Sequence, residues 1–205
     1  MKTAQSATDR LEEHALSDIF LTSLRNRIRA MNTLWQRAVS DMTLEHVNHH
    51  ERPGVLPIAF SLSHFMRIQD LSISRFFLAE PPLWESGDWA RRVGVTVDRL
   101  GREESVEEME RLRFGDFSAW LAYQAEVIER TSRALETVTE EMLAEVVMPA
   151  LPPNMQNIFC GIVVGPGNPI RKLEVLECFV YQHGLRHMGE MEHARALVGL
   201  RGMTG

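Results

Sequence analysis

Two histidines, His183 and His187, stand four residues apart in the run YQHGLRHMGEMEHARALVG near the C-terminus. On an α-helix this spacing stacks them one turn apart on one face, which lets two imidazoles converge on a single ion. Steps of three and four residues continue that face through Leu173, Leu176, Val180, His183, His187, Met191, Ala194 and Val198. The imidazoles therefore occupy positions of an apolar stripe and point inward. An inward imidazole needs partners for both ring nitrogens, because an unpaired buried polar group costs roughly 1 to 3 kcal/mol. Either each histidine bonds a neighbour or the two share a metal. The second case requires a further ligand, since catalytic metals usually take about three protein ligands and leave the other positions to water or substrate.

The run SLSHFMRIQD supplies the natural third ligand. Phe60, His64, Ile68 and Leu71 share a helical stripe, so His64 also points toward the core. Arg67 and Asp70 follow it by about one and two turns, where they either pair with each other or tune the site from behind the ligands. Other chemically capable residues are set aside. His46, His49 and His50, with Asn48 and Glu51, fall in a polar connection, and the adjacent His49 and His50 point in different directions. Cys160 and Cys178 are too few for a disulfide framework, lack close ligand spacing, and read as reduced and packed. GPGNP lacks the Lys and Ser/Thr that a phosphate loop places after its glycines.

These residues need long helices to position them, and the composition allows it. The chain has 205 residues, 44% hydrophobic and 24% charged, which suits one well-packed domain. A net charge of −6 and a pI near 5.8 provide no basic field for a phosphate backbone, so nucleic acid is not an expected partner. Arg25, Arg27 and Arg29 read as a solvated helix face. The start MKTAQSATDR lacks the apolar core of a secretory leader, and no apolar run approaches the roughly 20 residues of a membrane span. A soluble cytoplasmic protein is expected.

Helical periodicity predicts four long helices, over about 8–40, 57–79, 116–139 and 170–200. Pro57 suits the first turn of the second, and Pro81 and Pro82 end it. The 80–115 connection is long for a bundle and predicts a cap with its own structure that also crosses along the bundle, with Trp84 and Trp89 sealing one end. Within it, Ser105 and Glu108 form a capping-box pattern for a short helix over 106–112. Asp116 suits the N-cap of the third long helix, and TEEMLAEVV follows as a short amphipathic piece. In the 150–169 loop the apolar run NIFCGIVV could pass for a strand.

Taken in order, His64 on the second helix and HGLRH on the fourth resemble the DinB/YfiT superfamily of four-helix-bundle metalloproteins. SLSHFMRIQD looks like its pattern of a histidine followed by an Arg and an acid, and HGLRHMGEM like its terminal H-x-x-x-H-x-G-[QE] motif. LWESGDWARRVG and AYQAEVIERT resemble middle segments of one branch, so the likeness spans about 11–199. It implies an all-α, up-down-down-up four-helix bundle with its long crossover between the second and third helices. It also implies that His64, His183 and His187 ligate zinc, nickel or another divalent ion, with water completing the shell. Where the family often has Gln, this chain has Glu190, three residues beyond His187 and near the same face. That carboxylate would position a histidine, add a ligand, or act as a catalytic base on bound water. Relatives use a low-molecular-weight thiol in S-transfer or isomerisation, which is the expected activity on a small-molecule substrate. Alternatives are a metal-dependent hydrolase of an amide or ester and a non-catalytic, stress-related binding protein. A homodimer is expected from the same likeness.

Overall fold

A computed structural model of the chain describes residues 7–100 and 105–203. They are mostly helical, with one small two-stranded sheet. In order, the elements are α1 (Ala7–Val39), α2 (Leu44–Val47), α3 (Ile58–Ile73), α4 (Leu83–Ser86), α5 (Trp89–Val93), α6 (Val106–Met109), α7 (Phe117–Thr137), α8 (Glu140–Ala144), β1 (Val146–Met148), α9 (Phe159–Val164), β2 (Ile170–Arg171), α10 (Lys172–Glu174) and α11 (His183–Leu197). A π-helical stretch, Ser74–Leu78, prolongs α3, and a longer one, Val175–Gln182, leads into α11. The first residues of MKTAQSATDR lie outside the described residues.

Several boundaries follow from side-chain caps. Ser105 accepts a hydrogen bond from the Glu108 N–H at 3.2 Å and starts α6, which ends at Met109 rather than at residue 112. Asp116 accepts from the Ala119 N–H at 2.9 Å and starts α7. Pro57 stands at the N-cap of α3, one position before the expected first turn.

The apolar stripes meet in one continuous core. α1 packs on α7 and α11, and α3 packs on the same two helices from the other side. Leu24, Ile28, Met31, Trp35, Leu62, Phe65, Met66, Val127, Leu135, Val180 and Met191 are buried there. Polar bonds pin the helices together. Arg25 donates to the Leu135 carbonyl at 2.8 Å and Gln124 to the Trp35 carbonyl at 3.3 Å. Arg27 pairs with Glu177 at 2.8 Å, and Arg195 donates to the Ala38 carbonyl at 2.6 Å. Arg25 and Arg27 are therefore clamps between helices and not part of a solvated face, because both heads find acceptors on neighbouring elements.

The 80–100 and 105–115 stretches carry α4, α5 and α6. Trp84 and Trp89 are buried against Tyr123 of α7, with ring centroids 5.0 and 5.6 Å away. Asp70 fastens this segment to α3. Its carboxylate accepts from the Leu83 and Trp84 N–H groups, each at 2.9 Å, and from Ser74 and Tyr123 at 3.0 and 3.1 Å.

The chain differs from expectation around its last connection. NIFCGIVV is helical over Phe159–Val164, not extended, and the strands lie elsewhere, with Val146–Met148 pairing antiparallel to Ile170–Arg171. A short apolar run has no period that separates helix from strand. Here Gly161 lets the chain turn tightly, since a Cβ at that position would collide with the Gln156 carbonyl. Among the described residues no helix is long and apolar enough to cross a membrane.

Candidate metal centre and the chamber beside it

His64 comes from the middle of α3, and His183 and His187 from the first turns of α11. Their ligand-capable nitrogens all lie within 4.8 Å of one another. Ring centroids are 4.5 to 5.1 Å apart in edge-to-face arrangements, so no ring stacks over another and blocks the space between them. His187 is buried, and the other two are half-buried.

Gly184 makes this convergence possible. A Cβ there would run into the Met31 sulfur and come within 2.6 Å of the Phe65 ring, so only glycine lets α11 settle this closely on α1 and α3. Just upstream, the Val175–Gln182 stretch is π-helical, a form with wider turns that is frequent at functional sites.

The outer nitrogens of two rings are engaged by acceptors. His64 Nδ1 lies 2.5 Å from the Leu100 carbonyl oxygen, and a carbonyl only accepts, so Nδ1 carries the proton and Nε2 keeps its lone pair. His187 Nδ1 lies 2.6 Å from Glu190 Oε2, a carboxylate that also accepts from the Ser61 hydroxyl at 2.8 Å. His187 Nε2 is thus turned inward, 3.0 Å from His183 Nε2. These are the orientations that protein partners behind a metal site impose on ligating histidines.

The electrostatics agree. Burial pushes the His64 imidazole down to about 4, against the opposing bond to Leu100, so the ring is neutral at neutral pH and its lone pair is available. Burial raises the Glu190 carboxyl, but hydrogen bonds from His187 and Ser61 together with the positive charge nearby outweigh it and hold the group below the usual carboxylate range. The residues fit a divalent ion. Two nitrogens about 2 Å from a tetrahedral zinc lie about 3.3 Å apart, close to the 3.0 Å between His183 and His187.

Arg67 reaches the site indirectly. It donates to the Arg99 carbonyl at 2.9 Å, pairs with Asp98 at 3.1 Å and covers the Trp84 ring at 4.4 Å, steadying the segment whose next carbonyl holds His64. Asp70 does not pair with Arg67; three of its four acceptor bonds serve α4 and α7, and the fourth holds Ser74 one turn further along its own helix. Two of the histidines between α1 and α3, one of them in α2 and not in a loop, have local partners. His46 and Thr43 exchange capping bonds, and His50 lies 3.5 Å from Glu110. Asn48 bridges both backbone groups of Phe114 at 2.8 Å.

A cavity of about 490 Å³ opens beside the imidazoles. Phe60, Ile68, Phe76, Met155 and Phe179 furnish apolar wall, and His64, His183, His187, Gln182 and Arg186 gather at the site. Cys160 and Cys178 are free, buried and also on the wall. A hydrogen bond from Cys178 lowers the Cys160 thiol and raises that of Cys178. Sequence patterns did not single out Ser61, Leu100, Gly184 or Arg186. Ser61 stands one turn before His64 and Gly184 inside HGLRH, so helical spacing was available as a signal for those two. No side-chain signal marks the Leu100 carbonyl.

No family model matches this chain, and no curated protein matches it. Among solved structures, the crystal structure of a conserved protein from Enterococcus faecalis is similar. It has a TM-score of 0.68 and 18% identity, over 87% of this chain and 96% of that one. At that identity the likeness shows the fold alone.

Proposed function

We propose that the chain is a DinB/YfiT-like metalloprotein, an up-down-down-up four-helix bundle that holds one divalent ion, zinc or nickel, on His64, His183 and His187. The observation that carries this is the convergence of three imidazoles, two of them with outer nitrogens engaged by Leu100 and Glu190. The bundle is supported by residue pairs that give helix directions. Arg27 meets Glu177 and Arg195 meets Ala38, so α1 runs with α11; Arg25 meets Leu135 and Gln124 meets Trp35, so α1 runs against α7. Ser61 meets Glu190 and His64 meets His183, so α3 runs against α11.

The activity we infer is S-transfer or isomerisation with a low-molecular-weight thiol. A bound ion would supply Lewis acidity that lowers the pKa of a thiol held there. The chain's own residues do the rest. Leu100 and Glu190 fix the rings of His64 and His187, and the apolar chamber excludes water and receives a small electrophile. A metal-dependent hydrolase of an amide or ester is the second reading, favoured by the ionised state of Glu190, which a general base requires. Glu190 is nevertheless on the far side of the His187 ring from His183, which supports a positioning role instead. We further propose a cytoplasmic homodimer; elution as a 23.4 kDa monomer would remove that part.

Elemental analysis of untagged protein never exposed to nickel resin tests the centre. About one ion per chain is expected in wild type, with loss in His64→Ala and His187→Ala. Absence of any ion after reconstitution removes the metal centre. Turnover in thiol-free buffer would favour the hydrolase; strict thiol dependence would favour S-transfer.

A further inference from the structure

The chamber has walls that ion binding does not need. Phe60, Ile68, Phe76, Met155 and Phe179 enclose apolar space within a cavity of about 490 Å³, in the range of small-molecule sites. Fixed charge enters it at one place among the described lining residues, Arg186. Arg186 lies one residue before His187 and is exposed, and the ion pair of nearby Glu190 is with His187. The arginine lines the cavity together with His183 and His187, and so stands at the imidazole end of the chamber.

We propose that this chamber binds an amphipathic anion, with an apolar body along the phenylalanine and methionine walls and one acidic head between Arg186 and the histidines. Each half of the site excludes a simpler ligand. A small polar anion would leave the walls facing water, and an apolar molecule without a head would desolvate Arg186 without pairing it. The head position rests on the proposed metal centre, because the same histidines flank it. The walls and Arg186 do not depend on an ion.

The test is calorimetric titration of straight-chain carboxylates, from butyrate to decanoate, into zinc-loaded and metal-free protein, with 1-octanol as the headless control. Affinity is expected to rise about fourfold per methylene until the chamber is full. Octanoate should bind at least about tenfold more tightly than 1-octanol. In metal-free protein Arg186→Gln, at an exposed position, should abolish that preference by weakening octanoate binding, without weakening that of 1-octanol. Affinity independent of chain length, or equal binding of octanoate and 1-octanol, overturns the proposal. The two readings fail separately. A rising series in protein that retains no zinc removes the metal centre and keeps the ligand class, whereas one zinc per chain with a flat series does the reverse.

Discussion

His187 donates its Nδ1 proton to Glu190 across 2.6 Å, which turns the opposite nitrogen of the same ring toward His183. A carboxylate in this position makes the ring a better ligand and locks its orientation. Glu190→Ala should therefore weaken zinc binding by roughly 10- to 100-fold, and Glu190→Gln, whose carbonyl still accepts, by less. Competition with a chromophoric chelator measures both. Unchanged affinity in both variants would show that the carboxylate does not orient the ring.

Two glycines in the same helix should respond oppositely to alanine. At Gly184 the added methyl meets Met31 and Phe65, and overpacking of this kind costs about 1 to 3 kcal/mol. At Gly189 nothing lies within 4 Å, so alanine should be neutral or stabilise by up to about 1 kcal/mol through helix propensity. Urea unfolding of both variants decides it; equal stabilities would refute the close approach of α11 to α1 and α3.

Asp70 should prove important for stability and not for metal. Asp70→Asn places an amide N–H₂ against groups that now donate to the carboxylate, including Leu83, Trp84 and Tyr123. A loss of about 2 to 4 kcal/mol is expected, with zinc stoichiometry unchanged in the folded variant. Zinc loss from folded Asp70→Asn protein would instead tie this residue to the centre.

Arg195 is buried near the end of α11 and forks onto Asp41, at 2.6 and 2.9 Å, just beyond α1. This bond holds the Asp41 carboxyl below its ordinary value of 3.8. A depressed carboxyl stabilises the fold above its unfolded pKa, and the contribution disappears as pH falls through the lower folded value. Asp41 is about half exposed, so the effect should stay under about 1 kcal/mol. The melting-temperature difference between wild type and Asp41→Asn should be constant near neutrality and shrink below about pH 4. A difference that persists at pH 2 would rule this out.

Local chemistry was legible in the sequence wherever it depends on spacing along one helix. His183 and His187 fall on one face because four residues make about one turn, and His64 falls in a stripe with Phe60 for the same reason. Asp116 and Ser105 announced helix starts because a short side-chain acceptor satisfies the first free N–H groups. Tertiary structure alone decided what stands behind each ligand. Leu100 contributes a backbone carbonyl, which has no residue signature, and Ser61 meets Glu190 across 129 positions of chain. Periodicity assumes 3.6 residues per turn, so it read through the π-helical Val175–Gln182 stretch, and it had no means of separating helix from strand in the short run around Cys160. The chamber beside the histidines was equally out of reach. Its walls come from α3, the segment leading into α9 with the first residues of that helix, and the π-helical approach to α11, and only packing brings such distant segments together.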